Sequence, residues 1–404
     1  MRIVLVEPYG RAGGHQSTTT FLVTRSLLEI GLDVTIVSRD GFPDEWDRKL
    51  AVAHVPVALL RGNKEKLARI PSKQARRHYE LYLVHEYGMS LGAEDPDTLI
   101  HFWDFDPLYL FAARSKHGCF PFIINLGTAD YTLDSAQGTF LRRIIVSFKG
   151  KLLRSITAHA VSVCHAKRVL ELAYARNLMS RNSSTYVIPS GVDVEQRTRV
   201  NKEEARRHLG LSKTEKVILF FGPVRSSKGL DLLIEAFSKL ERGRLKLIVA
   251  GTLEHSPDYD PLAAAKNKRC SSDIYFITRY IPIEEMDLIF GASDGIVLPY
   301  RSFFQGQSDL FLSACQYELP VLASNTGDLG FKMRECQLGI LYEPDSVDEI
   351  YRALLSFVSM SEKELKKFRY NLTAYANSRP WKQVAKEYAG VYERVHLLRK
   401  KVKR

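Results

Sequence analysis

The chain alternates short apolar segments with stretches of helical periodicity, and this alternation occurs in two successive series. The candidate strands of the first series are Ile3–Val6, Asp33–Val37, Leu99–Phe102, Phe122–Leu126, Ala160–Val163 and Tyr186–Ile188. Those of the second series are Val217–Phe221, Leu245–Ala250, Ile274–Ile277, Gly295–Leu298 and Pro320–Ala323. Strands that alternate with helices form parallel sheets with helices on both faces. The sequence therefore predicts an α/β protein of two doubly wound, Rossmann-like domains that face each other across a cleft at the carboxyl ends of their strands.

The first candidate strand leads into a glycine-rich turn. Gly13 and Gly14 precede a helix predicted over Thr18–Ile30, which Gly31 ends. Because glycine has no Cβ, such a turn lets backbone N–H groups approach a phosphate or another ligand. A plain tight turn is the alternative. His15, beside the turn, is either a further residue of the cleft or a solvated loop residue.

A second strand-loop-helix segment carries two cations. The strand Val217–Phe221 leads into a loop that contains Arg225 and Lys228, and apolar residues then recur at helical spacing up to Phe237. Backbone N–H groups at a helix N-terminus lack intrahelical partners, and the helix dipole favours negative charge there. This arrangement predicts a phosphate-binding loop, with a merely solvated surface loop as the alternative.

The length and the composition exclude several classes of protein. With 404 residues and 45% hydrophobic residues, the chain is long enough for about two or three domains. No segment approaches the roughly 18 apolar residues of a membrane span, and the N-terminus is typical of a buried strand rather than a signal peptide. The five cysteines are scattered and lack C-x-x-C spacing, which indicates reduced thiols in the cytoplasm and argues against structural zinc.

The positive charge of the chain indicates anionic partners. The formal net charge is +12, but no basic block is interleaved with aromatic residues, so we expect no nucleic-acid partner. Residues 140–154 alternate apolar and basic residues at helical spacing, which suits a helix on an anionic membrane surface. A surface helix that packs its apolar side on the core is the alternative. The basic tail of residues 399–404 is either part of that surface or a solvated end.

Two stretches interrupt the patterned segments. Ser190–Asp193, followed by the charged residues Arg197–Arg207, is predicted to link the two domains. Residues 60–95 are polar, basic and weakly patterned, and we predict that they include a long helix that faces solvent.

With both series in order, the chain resembles glycosyltransferase family 4, the retaining, nucleotide-sugar-dependent enzymes of GT-B fold and "glycosyltransferase group 1" type. The resemblance covers most of the chain and is clearest after residue 186. It rests on Val187–Asp193, Gly222–Phe237, Ile248–Gly251, Ala292–Tyr300, Leu319–Ser324 and Pro380–Ala385. It implies an acceptor-side domain of residues 1–195, a nucleotide-sugar-binding domain of residues 196–377, and a helix of residues 378–404 that crosses back onto the first domain.

The resemblance also implies roles for the residues of both loops. Arg225 and Lys228 would hold the diphosphate of the donor and stabilise the leaving group as its negative charge grows. Gly13 and Gly14 would let the backbone approach donor phosphate or acceptor. No metal and no cofactor is then required, in agreement with the absence of an Asp-x-Asp motif.

The chain departs from the family in its donor motif. The family's two glutamates, eight positions apart, fall on Gln305 and Ser313. Gln305 retains hydrogen-bonding capacity for the sugar, whereas Ser313 would reach the ribose only by a closer approach or through a water molecule. Gly306, Gln307 and Ser308 still form a candidate anion-binding turn at a helix start, with Ser308 as the N-cap. A cap that binds no ligand is the alternative.

Further departures affect the first domain and the cationic loop. The family's catalytic-region histidine falls on Gly127, and Asp130 is the nearest polar replacement. Asp130 would orient the acceptor hydroxyl or take its proton, unless it only caps a turn. Pro223 replaces the arginine that the family places directly after the loop glycine, and Arg225 follows two residues later. His165 follows a strand and has no assigned role.

These residues favour one function and leave two alternatives open. The favoured function is a retaining, metal-independent glycosyltransferase that moves a sugar from a nucleotide-diphosphate sugar to a glycan, a lipid-linked or a small-molecule acceptor. Its expected location is the cytoplasm, peripheral on the inner face of the membrane. A non-catalytic nucleotide-sugar-binding or scaffold protein is the first alternative, because both glutamates and the histidine are missing. A nucleotide-sugar epimerase of related fold is the second, although no convincing set of cleft carboxylates for it is found.

Overall fold

The computed structural model divides into two compact units. It describes residues 1–9, 15–39, 41–42, 44–52, 57–59, 70, 72–118, 120–126, 140–180, 183–195, 200–253, 260–266, 268 and 270–402. Unit 1 consists of Met1–Gly191 together with Trp381–Arg404, and unit 2 consists of Val192–Pro380.

Unit 1 is built around a parallel sheet. Its strands are β1 (Arg2–Val6), β2 (Asp33–Ser38), β3 (Val57–Leu59), β4 (Thr98–Phe102), β5 (Phe122–Leu126), β6 (Ala160–Cys164) and β7 (Thr185–Val187). Among the described residues they lie in the order β3-β2-β1-β4-β5-β6-β7. The helices up to residue 191 are α1 (His15–Glu29), α2 (Asp44–Val52), α3 (Lys73–Glu94), α4 (Pro107–His117), α5 (Phe140–Thr157) and α6 (Lys167–Ala175).

Unit 2 repeats this architecture with its own core. Its strands are β8 (Val217–Phe221), β9 (Lys246–Ala250), β10 (Ile274–Ile277), β11 (Gly295–Leu298), β12 (Val321–Ser324) and β13 (Gly339–Tyr342), in the order β10-β9-β8-β11-β12-β13. Its helices are α7 (Lys202–His208), α8 (Leu230–Phe237), α9 (Pro261–Lys266), α10 (Ile283–Ala292), α11 (Asp309–Gln316), α12 (Gly327–Cys336), α13 (Val347–Ser359) and α14 (Glu362–Ser378). The predicted α/β class with two doubly wound sheets is confirmed.

The strands form because their side chains are apolar on both faces of the sheet. Every residue of β4, β5, β6 and β11 is buried, as expected where helices cover both faces of a parallel sheet. Burial of apolar surface stabilises such a core by about 25 cal/mol per Å². The sheets are therefore the rigid parts on which the loops at the carboxyl ends of the strands are mounted.

Each sheet has one point at which the chain reverses the direction in which it adds strands. In unit 1 this point lies between β1 and β4, and in unit 2 it lies between β8 and β11. Such a reversal is the position at which open α/β sheets bind ligands, beyond the carboxyl ends of the strands. The fold thus marks one candidate binding position in each unit.

The last helix, α15 (Trp381–Val402), packs on unit 1 through buried polar groups. His101 on β4 contacts Tyr392 Oη through Nδ1 and Asn125 Oδ1 through Nε2, both at 2.9 Å. Burial lowers the pKa of His101 to about 3, so the imidazole is neutral at physiological pH. Near the end of the helix, the buried guanidinium of Arg399 donates to the main-chain carbonyls of Gly92, Asp95, Pro96 and Pro121.

Several details differ from the predictions. The helix expected to face solvent within residues 60–95 is α3, and it buries an apolar stripe that includes Leu81, Val84 and Met89. Its polar and basic residues on the other face hid this periodicity. Strands β3 and β13 were not predicted, because β3 has three residues and β13 begins with a glycine. Helix α1 begins at His15, three residues before the predicted start. Within the described part of the chain, no helix combines the length and the apolar character that a bilayer crossing requires.

Candidate functional site

The cationic loop of unit 2 follows β8 at the point where the strand order reverses. Gly222 leaves the strand with a positive φ of 104°, and Ser226–Lys228 form a single 3₁₀ turn. Gly229 then adopts the left-handed conformation and begins α8. A Cβ atom at Gly229 would lie 2.0 Å from the carbonyl oxygen of Pro299. A side chain at this position would force apart the loops after β8 and β11, so the close approach of the two loops requires glycine.

Both predicted phosphate-binding cations lie on this turn. Arg225 is exposed and immediately precedes the 3₁₀ turn. Lys228 is half-buried, and its Nζ lies 3.8 Å from the ring centroid of Tyr300 and 4.8 Å from that of Phe304. In the described residues no carboxylate forms an ion pair with Lys228. The aromatic rings therefore hold the ammonium group without neutralising its charge.

Arg301 fixes the same turn from the other loop. Its backbone N–H donates to the Ser227 carbonyl at 3.1 Å, and its guanidinium forms an ion pair with Asp231 in the first turn of α8. Arg301 and Tyr300 were not predicted as residues of this site, because they lie more than 70 residues after the cationic loop in the sequence. The pairing of β8 with β11 places Pro299–Phe304 beside that loop. A prediction of this strand order would therefore have identified both residues.

The Gly306–Ser308 turn is joined to the lysine through Tyr300. Ser308 is buried and occupies the N-cap position of α11, as predicted, but its side chain forms no capping hydrogen bond. Its Oγ instead lies 3.0 Å from Tyr300 Oη. The predicted capping hydrogen bond is therefore absent, because the hydroxyl group bonds to the buried tyrosine. Lys228, Tyr300 and Ser308 form one connected group.

The side chains at the two positions that replace the family glutamates bond within their own segments. The side-chain Nε2 of Gln305 donates to the main-chain carbonyl of Ser302 at 2.9 Å. The main-chain carbonyl of Gln305 accepts from the Asp328 N–H at 3.3 Å. Ser313 Oγ donates to the Asp309 carbonyl one helical turn earlier, at 3.2 Å. The amide nitrogen of Gln305 is thus engaged, and the predicted sugar contact would rest on its oxygen. Ser313 retains the capacity to accept a hydrogen bond.

Gln307 borders a buried ion pair on α12. Lys332 Nζ lies 2.9 Å from Asp328 Oδ2 and 3.4 Å from Gln307 Oε1. Both ionised side chains are less than a tenth exposed. Removal of one partner would leave a single buried charge, which is strongly destabilising. The pair therefore holds the start of α12 against the turn. It was not predicted from the sequence.

The three helices that follow the adjacent strands β8, β11 and β12 begin without side-chain caps. These are α8, α11 and α12, whose N-cap residues Gly229, Ser308 and Thr326 provide no capping hydrogen bond. By contrast, Ser346 and Ser361 cap α13 and α14 through their hydroxyl groups. Uncapped N-termini leave backbone N–H donors and partial positive charge available to an anion. In α12 one of these donors, the Asp328 N–H, is already engaged by the main-chain carbonyl of Gln305.

Comparison with known proteins identifies this unit. Residues 201–375 match the family model described as "Glycosyl transferases group 1". The second unit belongs to the glycosyl transferases group 1 family. The chain is 31% identical over 173 residues to a D-inositol 3-phosphate glycosyltransferase of Geodermatophilus obscurus, and 27% identical over 180 residues to one of Rhodococcus jostii. These alignments cover 39% and 43% of this chain, and they span 37% and 39% of the length of the relatives.

Solved structures resemble this chain over nearly its full length. Sucrose-phosphate synthase from Thermosynechococcus elongatus has a TM-score of 0.72 at 18% identity, with 98% of this chain and 99% of that chain covered. Anabaena Alr3699/HepE in complex with UDP-glucose has a TM-score of 0.74 at 14% identity, with 97% and 99% covered. At these identities the likeness shows the fold, which is GT-B with two Rossmann-like units.

The predicted residues of unit 1 are only partly described. Gly13, Gly14 and Asp130 lie outside the described residues, and of His15 only its place at the start of α1 is described. His165 lies after β6, where its Nδ1 is 2.9 Å from the Ile188 carbonyl. Among the described residues of the chain, no three His, Cys, Asp or Glu side chains are grouped as metal ligands would be.

Proposed function

We propose that the chain is a retaining glycosyltransferase that uses a nucleotide-diphosphate sugar as donor. One observation carries this proposal: Arg225 and Lys228, which forms no ion pair with a described carboxylate, lie in a loop at the strand-order reversal of a group 1 domain, beside the uncapped N-termini of α8, α11 and α12. Cations next to helix N-termini suit a pyrophosphate group.

The proposed chemistry is electrostatic. As the bond between the sugar and the diphosphate breaks, negative charge grows on the leaving nucleoside diphosphate. Arg225 and Lys228 would stabilise that charge, and such preorganised groups act most strongly where charge develops in the transition state. The acceptor hydroxyl attacks on the face from which the leaving group departs, and a donor phosphate oxygen takes its proton. Because the two side chains supply positive charge, we propose that neither a metal ion nor a cofactor is required.

The relatives suggest the class of donor and acceptor. Anabaena Alr3699/HepE was solved with UDP-glucose, and the curated relatives are named D-inositol 3-phosphate glycosyltransferases. We propose a UDP-sugar as the first donor to test and a hydroxyl-bearing glycan, lipid-linked or small molecule as the acceptor. The acceptor would bind unit 1, and the donor unit 2.

A non-catalytic nucleotide-sugar-binding protein is the second candidate. It is favoured by the loss of both family glutamates, and by the bonding of Gln305 and Ser313 within their own segments. The charged turn weighs only against a scaffold that binds no ligand, because such a protein has no use for cations beside helix N-termini. A protein that binds the nucleotide-sugar without transferring the sugar would keep the turn.

Release of nucleoside diphosphate separates the two candidates. The purified chain is incubated with UDP-glucose, and separately with other nucleotide-diphosphate sugars, together with a panel of polyol and glycan acceptors, and the free diphosphate is measured. We expect acceptor-dependent release that is unchanged by EDTA. Donor binding without release would support the scaffold, and a strict magnesium requirement would contradict the metal-independent mechanism.

We further propose that the protein acts in the cytoplasm and that α5 rests on an anionic membrane surface. Ile144, Ile145 and Phe148 are 50%, 47% and 52% exposed, and Lys151 and Arg154 lie on the same helix with exposed side chains. Apolar side chains next to basic ones suit the boundary between headgroups and acyl chains of an anionic leaflet. A lipid-linked acceptor would be accessible at that surface.

A further inference from the structure

Two carboxyl groups lie at the strand-order reversal of unit 1, and the proposed function assigns neither of them a role. Glu7 directly follows β1, and Asp104 lies two residues after β4. The backbone N–H groups of Trp103 and Asp104 both point to the Val6 carbonyl, at 2.9 and 3.5 Å. The two carboxyl groups are therefore neighbours at the carboxyl ends of adjacent strands, the position at which doubly wound sheets bind ligands.

Glu7 has an unsatisfied oxygen in a buried position. The residue is 0% exposed, and its Oε1 accepts a hydrogen bond from the Tyr9 N–H at 2.8 Å. Its Oε2 is buried and has no hydrogen-bond partner among the described residues. A buried polar atom without a partner costs about 1–3 kcal/mol, and such atoms are rare in native proteins. This cost indicates an oxygen that is satisfied when a ligand binds.

The surroundings of Glu7 favour the neutral carboxylic acid. Burial and the nearby charge of Asp104 raise the pKa of Glu7 well above its usual value. Because Oε1 already accepts from Tyr9, the proton belongs on Oε2, which becomes an O–H donor. Asp104 accepts from the Phe105 N–H through Oδ1, and its carboxylate is an acceptor. The pair thus offers one donor and one acceptor side by side.

The neighbouring ionisable groups are engaged in other bonds or are neutral. Asp106 caps α4 through the Leu108 N–H at 2.9 Å and forms an ion pair with Lys149. His85 bonds to the Leu81 carbonyl and to the Asp106 N–H, and burial lowers its pKa to about 4, so it is neutral. Burial and the surrounding carboxylates raise the pKa of Tyr9, so its phenol is neutral as well.

We propose that Glu7 and Asp104 form a subsite for a vicinal pair of hydroxyl groups on a cyclic polyol. One hydroxyl oxygen accepts from Glu7 Oε2–H, and the adjacent hydroxyl donates to the Asp104 carboxylate. A cationic ligand fits less well, because a protonated Glu7 offers it no charge. The inference rests on the proposed function only in taking this polyol to be the sugar acceptor.

Saturation-transfer NMR on the full chain tests the subsite, with myo-inositol as the probe and cyclohexanol, which has a single hydroxyl group, as the control ligand. No donor is added, so the result does not depend on whether the chain transfers sugar. We expect saturation transfer to myo-inositol and not to cyclohexanol. Absence of transfer to myo-inositol with the wild-type chain would overturn the proposal.

Substitutions assign the binding to the two carboxyl groups. Glu7→Gln keeps a neutral donor of the same shape and should retain binding. Glu7→Leu and Asp104→Asn should each weaken the binding of myo-inositol by about tenfold or more, the order expected for one hydrogen bond to a charged or buried group. Asp33→Asn, at the amino-terminal end of β2, is the matched control and should bind as the wild type does. Equal binding by the wild type and Asp104→Asn would overturn the proposal even if Glu7→Leu failed to fold.

Discussion

At the scale of single residues, aromatic rings hold the lysine of the cationic turn, whereas carboxylates hold many other lysines that are partly buried. A cation–π contact contributes about 0.5–2 kcal/mol, which positions Lys228 between Tyr300 and Phe304. A carboxylate at the same place would neutralise the charge and compete with the diphosphate. Tyr300 also bonds to Ser308, so one side chain positions both the cation and the turn that opens α11.

Substitution of Tyr300 should therefore weaken donor binding. This loss should not follow from lower protein stability alone, because the ring positions the lysine that contacts the donor. Tyr300→Leu removes the ring and should raise the donor KM by about tenfold, the equivalent of one cation–π contact. Tyr300→Phe keeps the ring and loses only the Ser308 bond, so its KM should stay within a few-fold of the wild-type value. Steady-state kinetics with varied donor measure both.

Tyr370→Leu is the matched control, because this exposed tyrosine lies on α14, far along the chain from the cationic turn. It should leave KM unchanged. Equal KM values for Tyr300→Leu and Tyr300→Phe would show that the ring does not position the lysine.

The sequence was sufficient to predict Arg225 and Lys228 but not their partners. The two cations follow a strand and precede a helix within one short segment, so their chemistry is visible locally. Tyr300 and Arg301 join them only because β8 pairs with β11, across about 70 intervening residues. The bonding of Gln305 to Ser302 was equally invisible, because it depends on the path of the loop and not on spacing.

At the scale of elements, α5 packs one apolar side on the core, as one of the two alternatives from the sequence requires, and contact with a membrane stays a proposal. Val146, Leu153 and Ile156 are buried in the core of unit 1, as a surface helix requires. Ile144, Ile145 and Phe148 remain exposed on another face of the same helix. Core packing alone does not explain this second apolar face, whereas the proposed contact with a membrane surface would.

Vesicle flotation measures this membrane contact. The wild type should float with vesicles that contain anionic phospholipid and much less with purely zwitterionic vesicles, because the basic residues of α5 add electrostatic attraction. The double variant Ile145→Ser, Phe148→Ser should lose most of this binding. Phe331→Ser on α12, which removes a similarly exposed aromatic residue (51%), should bind as the wild type does. Equal binding to both vesicle types would exclude the basic face of α5 as the determinant.

Element boundaries show where sequence patterns are informative. Strands such as β5 and β8 coincide with the predicted ranges, because continuous apolar runs between turns leave few alternatives. The three-residue strand β3 is too short for a pattern, and it forms because β2 offers it a pairing edge. Helix α3 shows the opposite case, since its buried stripe is visible only once the sheet it covers is known.

At the scale of the whole molecule, the chain contains two doubly wound units, each with a candidate binding position where its strand order reverses. The position in unit 2 presents cations and helix N-termini, whereas the position in unit 1 presents carboxyl groups. This difference matches an anionic donor on one unit and a neutral polyol acceptor on the other. The alternation of strands and helices predicted both sheets, but the contrast between the cations of one position and the carboxyl groups of the other became visible only with the fold.

The most direct test of the central claim is the effect of the two cations on sugar transfer. Arg225→Ala and Lys228→Ala should each lower kcat/KM for acceptor-dependent nucleoside diphosphate release by about 100-fold, the loss typical of removing one transition-state donor. Lys363→Ala, which removes an exposed lysine at the start of α14, should leave kcat/KM unchanged. If both cation variants retained wild-type kcat/KM, the turn would not stabilise the leaving diphosphate and the account would be wrong.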